Sequence, residues 1–189
     1  MPTMPKFRIR QELERIAGNS RRIAVEGMYL RPYDAQNDTV VANYSAADWS
    51  MIFGDMPEEE LAEYSRCSNV VVLIWCDGRT DEAEGMLYLE EAHDNLGTLT
   101  FHGGTWNHNP AYYCKIYHSL IYLLNQLLMR GFNIRTTCGL TNAKADKFQR
   151  AMGFEETGRD EHVIFKHLSM RKFNESIIVK RMLCKPTLN

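Results

Sequence analysis

The sequence predicts an α/β (α+β) domain in which a mixed central sheet of about six to seven strands is flanked by helices. Three observations carry this. The segments NVVVLIWC, EAEGMLYLEEA and LGTLTFHGGTW are strand-like and are separated by turn signals at Asp77-Gly78 and Asp94-Asn95, which makes them an antiparallel meander. Residues 111–132 then carry an apolar stripe of Tyr113, Ile116, Tyr117, Leu120, Leu124, Leu127 and Leu128 at helical spacing, with Gly131 near its end. After it comes the strand-like run IRTTCGL, followed by a short amphipathic helix that Gly153 ends.

The elements follow in order. KFRIRQELERIA has helical character and stops near Gly18 and Asn19, so it is expected as a helix packed outside the main fold. EGMYLRPYD is a first strand with Met28 and Leu30 on one side, and Pro32 and Asp34 mark its exit. Two helical stretches are expected next. The first covers about residues 34–49, and the second starts at Pro57, with Asp55 as its cap. NVVVLIWC is uninterrupted and apolar, as a strand buried on both faces is. Gly103-Gly104 within the last meander strand implies a bulge or a close backbone approach. Beyond strand 134–140 and the short helix, strands are expected at 155–158 and 163–170.

A chain of 189 residues is long enough for one domain and short for two. We divide it into an N-terminal helical extension (1–25), a domain (26–170) and a C-terminal extension (171–189) that can belong to the same domain. The five cysteines show no C-x-x-C spacing, which speaks against a disulfide framework and for a reducing, cytoplasmic setting. No apolar run is long enough to span a bilayer, so no membrane role is expected. Charge is uneven: residues 34–94 hold fifteen acidic side chains and only two basic ones, Arg66 and Arg79, whereas both ends are basic. Glu58, Glu59, Glu60 and Glu63 either solvate a helix or form an acidic wall that attracts a cationic partner.

The stretch TNAKADKFQRAMGFEETG, residues 141–158, resembles motif B of the GNAT (N-acetyltransferase) superfamily, Asn-x-x-Ala-x-x-x-Tyr-x-x-x-Gly-Phe. Asn142, Ala145, Gly153 and Phe154 match, and Gln149 stands at the tyrosine position. The order of elements resembles the same fold over residues 26–170, as does the opening Leu-Arg-Pro strand. The resemblance implies a GNAT acyl-CoA N-acyltransferase fold. In that fold the fourth strand is bulged, and it parts from the fifth to admit the pantetheine arm of acetyl-CoA, the acyl-donor cosubstrate.

It also implies a set of binding residues. The family's glycine-rich pyrophosphate loop, which opens the long helix, falls on Ala111, Tyr112, Tyr113, Cys114, Lys115 and Ile116; none is glycine, and Ala111 takes the Gln/Arg position. Backbone amides at a helix N-terminus can still cradle phosphate, with Lys115 adding charge. The arm would approach the backbone of Thr105, Trp106 and Asn107, with Asn142 and Ala145 on the other side.

Acyl transfer to an amine needs a neutral nucleophile, stabilisation of the oxyanion and a proton for the departing thiolate. His102 is the first candidate base, since it shares a strand face with Thr98 and Thr100 and titrates near neutrality when unperturbed. Glu90, with Glu91, comes next, ahead of His93 and His108. Gln149 cannot supply a proton but can hydrogen-bond near the sulfur. Cys114 is read as structural, and the scattered histidines form no metal motif.

The function these features imply is an acetyl-CoA-dependent N-acetyltransferase acting on a primary amine of a cationic small molecule or protein. The alternative is a catalytically degenerate GNAT-fold protein that binds a protein or nucleic-acid partner. Nucleic acid is disfavoured, since basic and aromatic residues do not interleave. A homodimer is left open.

Overall fold

The computed structural model describes residues 7–23, 27–38, 44–53, 56–92, 97–106 and 110–183. Asp55, His93, Asp94, Asn95, Asn107, His108 and Asn109 lie outside them. The elements run α1 (Phe7–Ile23), β1 (Met28–Pro32), α2 (Ala46–Phe53), α3 (Leu61–Tyr64), β2 (Val70–Asp77), β3 (Ala83–Glu91), β4 (Thr98–Thr105), α4 (Pro110–Met129), β5 (Asn133–Gly139), α5 (Ala143–Ala151), β6 (Glu155–Arg159), β7 (Val163–Leu168), α6 (Met170–Glu175) and α7 (Ile177–Leu183).

The seven strands form one mixed sheet in the order β1-β2-β3-β4-β5-β7-β6. All neighbours are antiparallel except β4 and β5, which run parallel because α4 carries the chain back between them. Strand alternation divides the buried side chains between two cores. Val71, Leu73, Trp75, Leu87, Leu89, Leu99, Phe101 and Ile134 meet α1, α4, α6 and α7 on one face. Val70, Val72, Ile74, Cys76, Met86 and Tyr88 meet α2 and α3 on the other. Every residue of β2 is buried, as its unbroken apolar run predicts.

Three expectations are corrected. Helix α1 is not an outlying element: Leu13 and Ile16 are 1 % exposed in the first core, and Glu12 pairs with Arg130 beyond the end of α4. Residues 34–37 form a turn in which Asp34 accepts from Gln36 N and Asn37 Nδ2, and helix α2 covers Ala46–Phe53. The second helical stretch is short, a 3-10 turn at Glu58–Glu60 that leads into α3.

The third correction concerns the bulge. β4 pairs with β3 in unbroken register from Glu91↔Leu99 to Gly85↔Thr105, so there is no bulge at Gly103-Gly104. Close approach accounts for both glycines: a Cβ on Gly103 would lie 2.7 Å from Leu87 Cβ, and one on Gly104 would lie 2.7 Å from Ile52 Cδ1 of α2. Residues 169–183, left open as part of the same domain, form two helices that pack on the first core through Phe173 and Val179. Ser169 caps α6 by accepting from Lys172 N.

Candidate active site

The sheet opens between β4 and β5. Pairing runs from Thr98↔Asn133 to Thr100↔Arg135 and stops there, while β5 continues to pair with β7 as far as Gly139↔Val163. Beyond Thr100, the two strands diverge with the twist of the two half-sheets. One side-chain bond closes the vertex, from Thr136 Oγ1 to Phe101 O at 2.8 Å.

The direction of the β4 backbone groups follows from ladder alternation. Thr98 O accepts from Ala92 N and Gly104 O accepts from Tyr44 Oη, both on the β3 side. Gly97 O, by contrast, accepts from Asn133 N, and Phe101 O accepts from Thr136, both on the β5 side. The N–H and C=O groups of Gly103 and Thr105 therefore face the opening. Backbone donors and acceptors along a strand edge are what an extended amide-bearing ligand requires.

Tyr44, which the sequence reading missed, fixes this wall. Its hydroxyl donates to Gly104 O at 2.9 Å and accepts from Met86 N at 3.0 Å, so it is inserted into the β3–β4 ladder where Met86 and Gly104 face each other. Thr105 Oγ1 ties the strand end to Glu84 O. Trp106 packs edge-on against Tyr44 at 4.7 Å between ring centroids.

His102 lies past the vertex on the face covered by α2. Its ring stacks on Tyr88 at 4.8 Å and 14°, and Tyr88 in turn stacks on Phe53 and meets Tyr64 edge-on. Burial pushes the imidazole down to about 4. It is therefore neutral at pH 7, able to accept a proton but only as a weak base. Glu90, paired in register with Thr100 on the same face, accepts from Tyr64 Oη at 3.1 Å. Burial first, and the Glu90 charge second, push the Tyr64 phenol up, so it stays a hydrogen-bond donor. The period-two spacing of Met86, Tyr88 and Glu90 was the signal for this surface.

The opposite wall is made by β5 and α5. Asn142 caps α5 by accepting from Ala145 N at 3.1 Å, and the helix ends at Gly153, whose φ of 98° is a left-handed value. Gln149 is buried, and its Nε2 donates to Thr137 O at 3.1 Å and to Thr136 Oγ1 at 3.4 Å, at the vertex. Its Oε1 is buried and has no partner.

Beneath the same helix, Lys166 is 1 % exposed and pairs with Asp146, which also binds Arg150. The sequence reading missed this pair, because a lysine in an alternating strand reads as solvent-facing.

Ala111, Tyr112, Tyr113, Cys114, Lys115 and Ile116 all fall within α4, whose first residue is Pro110. Ile116 is buried in the first core. Lys115 Nζ lies 3.6 Å from Asp77, which is on β2, two strands away from the opening. The Asp77 carboxylate is held below its ordinary range, chiefly by the Arg79 backbone N–H, with Lys115 contributing. Among the described residues no group of three His, Cys, Asp or Glu could hold a metal ion, and no helix is long and apolar enough to cross a membrane.

The residues around the opening fit the arm of an acyl-CoA. The wall is strand backbone on one side, and beside the vertex on the other the buried Gln149 amide keeps an acceptor without a partner.

No protein-family model and no curated protein matches the sequence. Solved structures match the fold. An uncharacterized protein from Bacillus halodurans superposes with a TM-score of 0.68 at 9% identity, over 82% of this chain and 90% of that one. A nucleotide-linked sugar GNAT gives 0.63 at 16% identity, over 82% and 94%. Spermidine N-acetyltransferase from Vibrio cholerae, in complex with CoA and spermine, gives 0.62 at 13% identity, over 79% and 99%. The chain has the GNAT acetyltransferase fold.

Proposed function

We propose that this protein is an acetyl-CoA-dependent N-acetyltransferase that acetylates a primary amine of a cationic small molecule or protein. The observation that carries the reading is the opening between β4 and β5, where the pairing of the two strands stops at Thr100↔Arg135 and the buried Gln149 amide sits beside the vertex. Acetyl-CoA, when bound there, supplies the activated acetyl group. Gly103 would offer its backbone to the arm, Asn142 and Ala145 frame the far wall, and the N-terminus of α4 would meet the phosphates.

On the acceptor side, Glu90, which accepts from the Tyr64 hydroxyl, offers a carboxylate that suits an amine cation before it loses its proton. The structural neighbour seen with CoA and spermine handles an acceptor of that chemistry. His102, neutral at pH 7, would take up the amine proton directly or through water. With Gln149 at the tyrosine position, the departing thiolate would be protonated from solvent.

One observation favours the second reading, a GNAT-fold binding protein without turnover: Lys115, the one cation the sequence offers to the phosphates, is held by Asp77. Thiol release from acetyl-CoA, measured across polyamines, lysine peptides and peptide N-termini, separates the two. Acceptor-dependent release supports the transferase, whereas calorimetric binding of acetyl-CoA with no release on any acceptor supports the binding protein.

A further inference from the structure

The structure assigns Gln149 Oε1 as the acceptor for a neutral N–H of the donor's arm, namely the amide nearest the sulfur; this rests on the donor site proposed above. The side chain is buried, at 6 % exposure, and its orientation is fixed by chemistry. Thr137 O can only accept, so the amide atom 3.1 Å from it must be the nitrogen, and the oxygen must be the other atom.

Both hydrogens of Nε2 are committed, one to Thr137 O and one to Thr136 Oγ1. The single hydrogen of Thr136 Oγ1 goes to Phe101 O. No donor at the vertex is left for Oε1. A buried carbonyl without a partner costs about 1–3 kcal/mol, so a fold that keeps one beside the vertex where β4 and β5 part has a use for it.

What Gln149 offers is thus an acceptor only. It cannot protonate or hydrogen-bond a thiolate, which itself needs donors, and this removes it from the chemistry of the leaving group. It can hold a secondary amide N–H, and the arm of CoA carries such groups at fixed spacing from the sulfur. On this reading, Gln149 at the tyrosine position trades a proton donor for a grip that fixes how deep the thioester sits. Gln149 is here a binding residue.

The test is a chemical double-mutant cycle read by calorimetry. The ligands are CoA and a CoA analogue in which the amide N–H nearest the sulfur is replaced by a methylene. The proteins are the wild type and Gln149→Leu, with Gln149→Met, of similar length, as a second variant should Gln149→Leu melt early. The wild type should bind the analogue roughly tenfold more weakly than CoA, as the loss of one buried hydrogen bond gives. The variants should bind the two ligands equally.

Equal affinity of the wild type for CoA and the analogue would overturn the assignment while leaving the donor site standing. A tenfold loss that persists in both variants would overturn it too, since another group would then hold the N–H. No binding of CoA to the wild type would remove the donor site itself, and this assignment with it.

Discussion

On the β4 wall of the opening the polar groups are matched inside the protein. Tyr44 Oη joins Met86 N to Gly104 O, Thr105 Oγ1 reaches Glu84 O, and a run of stacked rings from Trp49 through Phe53 and Tyr88 ends on His102. On the β5 and α5 wall a charged pair, Lys166 and Asp146, is held in place under the helix, and Gln149 Oε1 is left without a partner. The first wall is organised before any ligand arrives and offers only backbone. The second is anchored by one ion pair and offers a side chain. Internal matching on one side and an unpartnered acceptor on the other set the two walls apart.

The largest effect is expected from breaking the anchor. Asp146→Asn leaves the Lys166 cation buried without its partner and should destabilise the fold by about 3–5 kcal/mol. Lys166→Met removes the cation as well and should cost less, because Asp146 retains Arg150 and some solvent. Urea melts of both variants check the order. A smaller loss in Asp146→Asn than in Lys166→Met would show that the pair does not hold the second wall.

The β4 wall is next. His102 has a folded value of about 4, below the roughly 6.5 of an unfolded histidine, so between these values only the unfolded chain takes up the proton. The stability His102 contributes is present above about pH 6.5 and is lost as pH falls toward 4, by up to roughly 3 kcal/mol. His102→Gln should flatten this part of the stability profile. An unchanged slope would mean that the ring is not held neutral against Tyr88.

Tyr44→Phe removes the hydroxyl that bridges Met86 N and Gly104 O, and should cost about 1–2 kcal/mol and weaken CoA binding in parallel. Loss of stability without loss of binding would separate Tyr44 from the alignment of β4. The smallest effect is expected at Lys115. Its ammonium sits at Asp77, so Lys115→Ala should change stability by less than about 1 kcal/mol and leave CoA affinity within twofold. A tenfold loss of affinity would return Lys115 to the phosphate site.

The sheet and its order were legible because the signals were local. The unbroken run of β2, the Asp77-Gly78 turn, the stripe of α4 and the Asn142-to-Gly153 helix each declare themselves within a few residues. The bulge was not there because Gly103 and Gly104 answer to Leu87 and Ile52, neighbours that only the folded sheet brings close. The role of α1 was hidden because two core residues, Leu13 and Ile16, are few among charges.

Within the candidate site, His102 and Gln149 were named from the sequence, and their environments were not. The imidazole is held neutral by burial against Tyr88, and the amide is fixed by Thr137 O; both are consequences of strand pairing. Tyr44 left no trace, since a tyrosine in a stretch expected to be helical carries no sign that its hydroxyl enters a β-ladder.

Hydrogen exchange of β4, with and without CoA, tests the central claim most directly. The account predicts that CoA slows exchange at the amides of Gly103 and Thr105, which face the opening, and leaves Leu99, paired within the sheet, unchanged. If CoA binds and exchange at Gly103 and Thr105 is unaltered, the opening between β4 and β5 is not where the donor lies.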